Sequence, residues 1–218
     1  MTFCLTTTID KPEKNIQINQ AVILLHGYGG DGKDISILTL NWKRFLPNTI
    51  FLCPNGNEKC EINPAGYQWF DLTKDDPEYI LEQSKKAELK IKQFIEEVKS
   101  QYNLKNSQIC LSGFSQGCMM SINLGLTSNE NYNCVVGFSG KIINKKDLAN
   151  RKTSSTKMLL IHGDQDVVVS PTFLLEAKDF LIRNNVEIET KMISNCEHNI
   201  PVKASSAALN YIKNNFNI

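Results

Sequence analysis

Short continuous runs of apolar residues punctuate the chain: Ala21 to Leu25, Thr49 to Cys53, Ile109 to Leu111, Cys134 to Phe138 and Met158 to Ile161. Runs of this length that do not alternate with polar residues suit strands covered on both faces. Between them the rhythm changes. After Pro77, the residues Ala87, Leu89, Ile91, Phe94, Ile95, Val98 and Tyr102 recur at helical spacing among charged residues and predict a long amphipathic helix. Further helices are expected from about Asp34 to Phe45, from Gln116 to Leu124, from about Pro171 to Asn184, and from Pro201 onward. Residues 2 to 8 are read as an opening edge strand and Glu187 to Ile193 as another strand. Lys11 to Gln20, Asn55 to Leu72 and the segment up to Lys157 read as polar connections. Strands alternating with helices argue for an α/β fold, a mostly parallel sheet with helices on both faces. No repeat or linker breaks the pattern, so residues 1–218 are expected to form one domain.

Composition narrows the partners. A formal net charge of +1, with acids and bases spread along the chain, offers no footprint for nucleic acid or an anionic membrane. Seven cysteines at irregular spacing without CxxC pairs suit a reducing compartment, so a cytoplasmic location is expected. The stretch Met1 to Thr6 lacks a basic start and a long apolar run, so neither an export signal nor a membrane span is expected.

The chemistry converges on Leu111-Ser112-Gly113-Phe114-Ser115-Gln116-Gly117, a buried strand running through a tight turn into a helix. Within it stands GxSxG, in which glycines two residues either side of a serine let strand and helix approach closely. Three fixed positions recur by chance in about one chain in twenty of this length, so context decides. Ser115 could merely cap the following helix; the preceding strand and both glycines favour a nucleophile. A serine hydroxyl needs a base, and the base needs a carboxylate to fix its tautomer. His198 lies in the last loop between strand and helix, where a base belongs, although a surface histidine of no consequence would look the same. Asp164 and Asp166 compete for the carboxylate; Asp166 is favoured because it stands further out on its loop, while Asp164 suits a turn cap. His162, at the preceding strand end, is assigned a structural hydrogen bond. The oxyanion of a tetrahedral intermediate is expected to rest on the backbone N–H groups of Gln116 and of Tyr28, the latter within the glycine-rich His26-Gly27-Tyr28-Gly29-Gly30 loop. Trp69 and Phe70 are candidates for an apolar pocket wall, or else they pack the core. Cys118 and Cys196 read as small buried residues. The three histidines are far apart and form no ligand pair, so neither a metal nor another cofactor is expected.

The segments LLHGYGGDG at 24–32, WFDL at 69–72, GFSQG at 113–117, VVGFSG at 135–140, HGDQDVVV at 162–169 and EHNIP at 197–201 together resemble the phospholipase/carboxylesterase family, which includes acyl-protein thioesterases and lysophospholipases. The resemblance spans nearly the whole chain. It implies an α/β-hydrolase fold without a large lid, and Ser115, Asp166 and His198 as catalytic triad with Tyr28 and Gln116 as oxyanion donors. It also implies Trp69 and Phe70 near the acyl pocket, no cofactor, and a small-molecule or lipid acyl ester or thioester as substrate. The chain departs from the family in having Ser170 before Pro171 and Glu197 before the histidine. A hydrolase fold kept only for binding or regulation is the alternative from another functional class.

Overall fold

The computed structural model describes residues 3–218. In chain order the first half holds β1 (Thr7–Asp10), β2 (Gln20–Leu25), α1 (Gly32–Ile35), α2 (Thr39–Trp42), β3 (Thr49–Pro54), β4 (Glu58–Lys59), β5 (Tyr67–Gln68) and α3 (Pro77–Tyr102). Then come β6 (Ile109–Phe114), α4 (Gln116–Thr127), β7 (Cys134–Phe138), α5 (Lys145–Arg151), β8 (Met158–Gly163), α6 (Thr172–Arg183), β9 (Ile188–Ile193) and α7 (Val202–Phe216). Seven strands form one sheet in the order β1-β3-β2-β6-β7-β8-β9. Within this sheet only β1 runs antiparallel to its neighbour, and β4 and β5 form a separate antiparallel pair. This is the α/β arrangement expected from the apolar runs, a mostly parallel sheet with helices on both faces.

Why the central strands read as unbroken apolar runs is now visible. Successive side chains point to opposite faces, and both faces are covered. Ile23, Leu25, Leu52, Leu111 and Leu160 pack with Phe94 and Ile95 of α3, Met120 of α4 and Leu181 of α6. Val22, Leu24, Phe51, Val136 and Ile161 pack instead with Trp42 of α2 and Ala208 and Ile212 of α7. The helix α4 is buried along its whole length, so it carries no polar face.

Three expectations change. The opening strand begins at Thr7; Thr2 lies outside the described residues. Leu5 sinks into the core and the Cys4 N–H donates to the Glu97 carboxylate at 2.7 Å, so residues 3–6 follow α3 instead of the sheet. The helix expected from Asp34 to Phe45 is broken into α1, a 3-10 turn at Ser36–Leu38, and α2. There the hydroxyls of Ser36 and Thr39 bond back to the carbonyls of Lys33 and Ser36, a local alternative that competes with regular helix. The polar segment before Lys157 contains α5, capped by the Asn144 side chain accepting from the Asp147 N–H.

One ion cluster ties α3 to α4 and α5. Glu88 is 4% exposed and accepts from Arg151, Lys92 and the Thr127 hydroxyl. Burial pushes its carboxyl up, but these donors together outweigh burial and hold it below its ordinary 4.5. A depressed carboxyl contributes stability that is present above 4.5 and lost as pH falls through the folded-state value. Glu88→Gln is therefore expected to lower the melting temperature near neutrality and to flatten its fall with acid. Thermal melts from neutral pH into the acid range check both; an acid slope equal to that of the parent contradicts the assignment.

Candidate active site

Ser115 stands between β6 and α4 with φ 52° and ψ −114°, in the left-handed region that a non-glycine residue seldom occupies. The turn can be this sharp because its flanks are bare. A Cβ on Gly113 would strike the Gly117 backbone, and one on Gly117 would strike the carbonyls of Leu25 and His26. The Ser115 N–H is held by the Phe138 carbonyl at 2.8 Å.

Three of the predicted side chains meet. His198 Nε2 lies 3.0 Å from Ser115 Oγ, and His198 Nδ1 lies 2.7 Å from Asp166 Oδ2. The ring of Phe114 lies against that imidazole, with centroids 4.7 Å apart. Asp166 is buried, and its other oxygen accepts the N–H groups of Val168 at 2.9 Å and Val169 at 2.8 Å. Burial alone raises its carboxyl, but the hydrogen bonds from His198 and the two backbone donors prevail, so it is held below its ordinary 3.8 and stays ionised. Asp164 is elsewhere: it is exposed, and its carboxylate accepts from the Cys196 N–H at 3.3 Å. Glu197 is exposed and its carboxylate solvated.

Gln116 follows Ser115 directly, Gly27 of the Tyr28 loop lies against the Ser115 side chain, and among the described residues no acceptor is found for the backbone N–H of Tyr28 or of Gln116. The loop carrying Tyr28 is fixed from several sides. Gly29 N–H donates to Tyr67 O at 2.9 Å, Tyr67 N–H to Gly30 O at 2.8 Å, and the Asn63 amide to Gly29 O at 2.7 Å. Gly29 takes φ +78°, which glycine adopts without strain. Beneath the loop, Gly56 N–H donates to His26 Nε2 at 2.8 Å. That puts the His26 proton on Nδ1, which donates to Gly27 O at 2.7 Å. Burial lowers the pKa of this ring, keeping it neutral.

Trp69 and Phe70 do not line the cavity that borders His198. Both are buried in the core, at 0% and 1% exposure, and the Trp69 indole N–H donates to His26 O at 2.9 Å. Their backbone is held by the side chain of Gln116, which accepts from Trp69 N–H at 2.8 Å and donates to Phe70 O at 2.6 Å. A buried amide aimed at backbone is a role that the sequence pattern alone did not reveal. This cavity, of about 390 Å³, borders His198 and Phe114; Tyr28, Ile35, Ile37, Leu38 and Ile200 give it a mostly apolar wall, and Asp34 and Asn199 also line it. Cys118 fills the space against Gly137 and Gly140, and Cys196 is buried with its thiol near the carbonyls of Glu197 and Asn199. Among the described residues no group of three or more His, Cys, Asp or Glu is placed to hold a metal ion, and no helix is long and apolar enough to cross a membrane.

A family model described as phospholipase/carboxylesterase matches residues 7–216. The crystal structure of esterase PE8 superposes with a TM-score of 0.91 at 30% identity, covering 96% of this chain and 98% of that one. Among curated proteins, esterase YpfH of Escherichia coli is 25% identical over 94% of this chain and 86% of its own length. Acyl-protein thioesterase 1 of Schizosaccharomyces pombe is 26% identical over 87% and 86%.

Replacing Gln116 by alanine removes a partner from two buried backbone groups, and each orphaned group costs about 1–3 kcal/mol. Gln116→Ala is thus expected to lose about 2–6 kcal/mol in urea unfolding; a loss within about 0.5 kcal/mol, the usual surface value, contradicts the staple.

Proposed function

The chain belongs to the phospholipase/carboxylesterase family and is a hydrolase of its carboxylesterase/thioesterase type, and on that premise we propose that it acts through Ser115, His198 and Asp166 by way of an acyl-enzyme. His198 Nε2 takes the Ser115 proton as Oγ attacks the ester or thioester carbonyl. The negative charge that develops on the carbonyl oxygen is received by the N–H groups of Tyr28 and Gln116. His198 then returns the proton to the leaving oxygen or sulfur, which departs and leaves the acyl group on Ser115. Water repeats the sequence and releases the acid, restoring the serine. Asp166 holds the imidazole in the tautomer with its proton on Nδ1 and supports the imidazolium while it exists.

The observation that carries this reading is the continuous contact from Ser115 Oγ to His198 at 3.0 Å and on to Asp166 at 2.7 Å. Two backbone N–H groups without an acceptor, one on the residue after the serine and one on the loop whose Gly27 lies against it, support it, since oxyanion donors each contribute roughly a hundred- to a thousandfold in rate. The substrate proposed is a small or lipid-like acyl ester or thioester. The mostly apolar cavity bordering His198 supports an apolar group on at least one side of the scissile bond. Seven unpaired cysteines support a reducing setting such as the cytoplasm.

Hydrolysis of nitrophenyl esters of increasing acyl length tests the proposal. Ser115→Ala is expected to abolish enzymatic turnover and Asp166→Asn to lower kcat by roughly ten-thousandfold, because the imidazole then loses its tautomer. Asp164→Asn is expected to keep activity. Retained turnover in Ser115→Ala, or a greater loss in Asp164→Asn than in Asp166→Asn, contradicts the assignment. In the parent, kcat/KM is expected to rise with acyl length until the cavity is filled and then to level off.

A further inference from the structure

A second imidazole touches the same carboxylate. His162, at the end of β8, is 1% exposed, and its Nε2 lies 2.8 Å from the Val169 carbonyl oxygen and 3.2 Å from Asp166 Oδ2. Its Nδ1 is buried with no hydrogen-bond partner. These facts fix the proton. With Nε2 facing the Val169 carbonyl, the hydrogen sits there and points to that oxygen, while Asp166 Oδ2 lies 3.2 Å away and off the N–H axis. A second proton on Nδ1 would be a buried donor without an acceptor, which is costly. His162 is therefore a donor to the Val169 carbonyl, with the edge of its ring against Asp166 Oδ2.

The same contacts close the loop that carries the acid. Asp166 Oδ1 accepts from Val168 and Val169, while the carbonyl of Val169 accepts from His162. The carboxylate thus has two backbone donors on Oδ1 and His198 on Oδ2, and the loop end that supplies the Val169 N–H is itself held by His162. His198 sits on a loop and is partly exposed, whereas His162 is part of the sheet. Without the sheet-borne donor, the end of the loop at Val169 would lose its tether, and with it the position of a donor to Asp166 Oδ1.

We propose that His162 is a positioning residue of the hydrolytic site, a sheet-anchored donor that, by tying down Val169, holds the Asp166 carboxylate in line with His198 Nδ1. The inference rests on the assignment of Ser115, His198 and Asp166 proposed above, and its test separates the two. His162→Leu removes the donor from a buried site, and His162→Gln places an amide N–H where the imidazole Nε2–H stood. In the full chain, two quantities are read: steady-state hydrolysis of a nitrophenyl ester, and the downfield proton resonance of His198 Nδ1–H in the substrate-free protein.

His162→Leu is expected to lower kcat by about two- to tenfold, the value of one hydrogen bond to a backbone carbonyl expressed in a rate. KM should stay within about twofold of the parent, because the contact is not with substrate. The downfield resonance should broaden or vanish, and His162→Gln should recover most of both. An unchanged kcat and resonance in a folded His162→Leu overturns the proposal, as does an equal loss of kcat in both variants with the resonance intact. If His162→Leu does not fold, His162→Gln decides: a parental kcat and resonance supports the role, and loss of both in the folded variant overturns it. A parent that turns over no ester would overturn the assignment of Ser115, and the resonance, read without substrate, would still decide for or against His162.

Discussion

The strained turn at Ser115 is the constraint on which the site depends. A non-glycine residue held at φ 52° costs about 1–3 kcal/mol, and it persists only where its surroundings leave no alternative. Here β6 lies between β2 and β7, with the β2 carbonyls pressed against Gly117 and the β7 carbonyl of Phe138 bonded to the Ser115 N–H. The parallel ladder continues one step beyond each of three strands: Ser115 N–H to Phe138 O, Ser139 N–H to Ile161 O, and Asp164 N–H to Ile193 O. Loops that leave neighbouring strands are therefore tied to one another at their roots, and the Asp166 loop and the His198 loop inherit positions set by the sheet. Strain at one residue is offset by a core that covers both faces of the strand carrying it.

Polar side chains then convert sheet geometry into site geometry. The three histidines show how surroundings divide one chemistry into different tasks. His26 is buried and neutral, its proton placed by the Gly56 N–H, and it holds the loop that presents Tyr28. His162 is buried with only one side of its ring engaged. His198 alone is partly exposed, bordering the apolar cavity and facing both a hydroxyl and a carboxylate. Gln116 works in the same spirit: its side chain pins Trp69 and Phe70 while its backbone N–H stays free beside the serine.

Most of the framework was legible because its signals are local. Strands buried on both faces announce themselves as apolar runs, and the elbow needs glycine at two positions for reasons of contact, so both survive reading without coordinates. Features set by competition or by distant contacts were not. The half-buried Thr7–Asp10 has too little apolar character to mark where the edge strand starts, and α5 is a short charged helix whose cap is a single asparagine. Ser36 and Thr39 look compatible with helix until their hydroxyls are seen bonding backward. Trp69 and Phe70 were ambiguous between pocket and core because an aromatic pair suits both. What decided was the Gln116 amide, 46 and 47 residues away, which draws their backbone inward. Asp164 and Asp166 differ by two positions on one loop, and only the direction of each side chain separates the exposed carboxylate from the one beneath His198.

The central claim is that the strained serine is a nucleophile activated by its histidine, and covalent labelling tests it most directly. The protein would be incubated with a fluorophosphonate and its adduct located by peptide mass spectrometry. The account predicts one phosphonyl group per chain, on Ser115, and its loss in His198→Ala. An unlabelled protein, or a label on another residue, would contradict it.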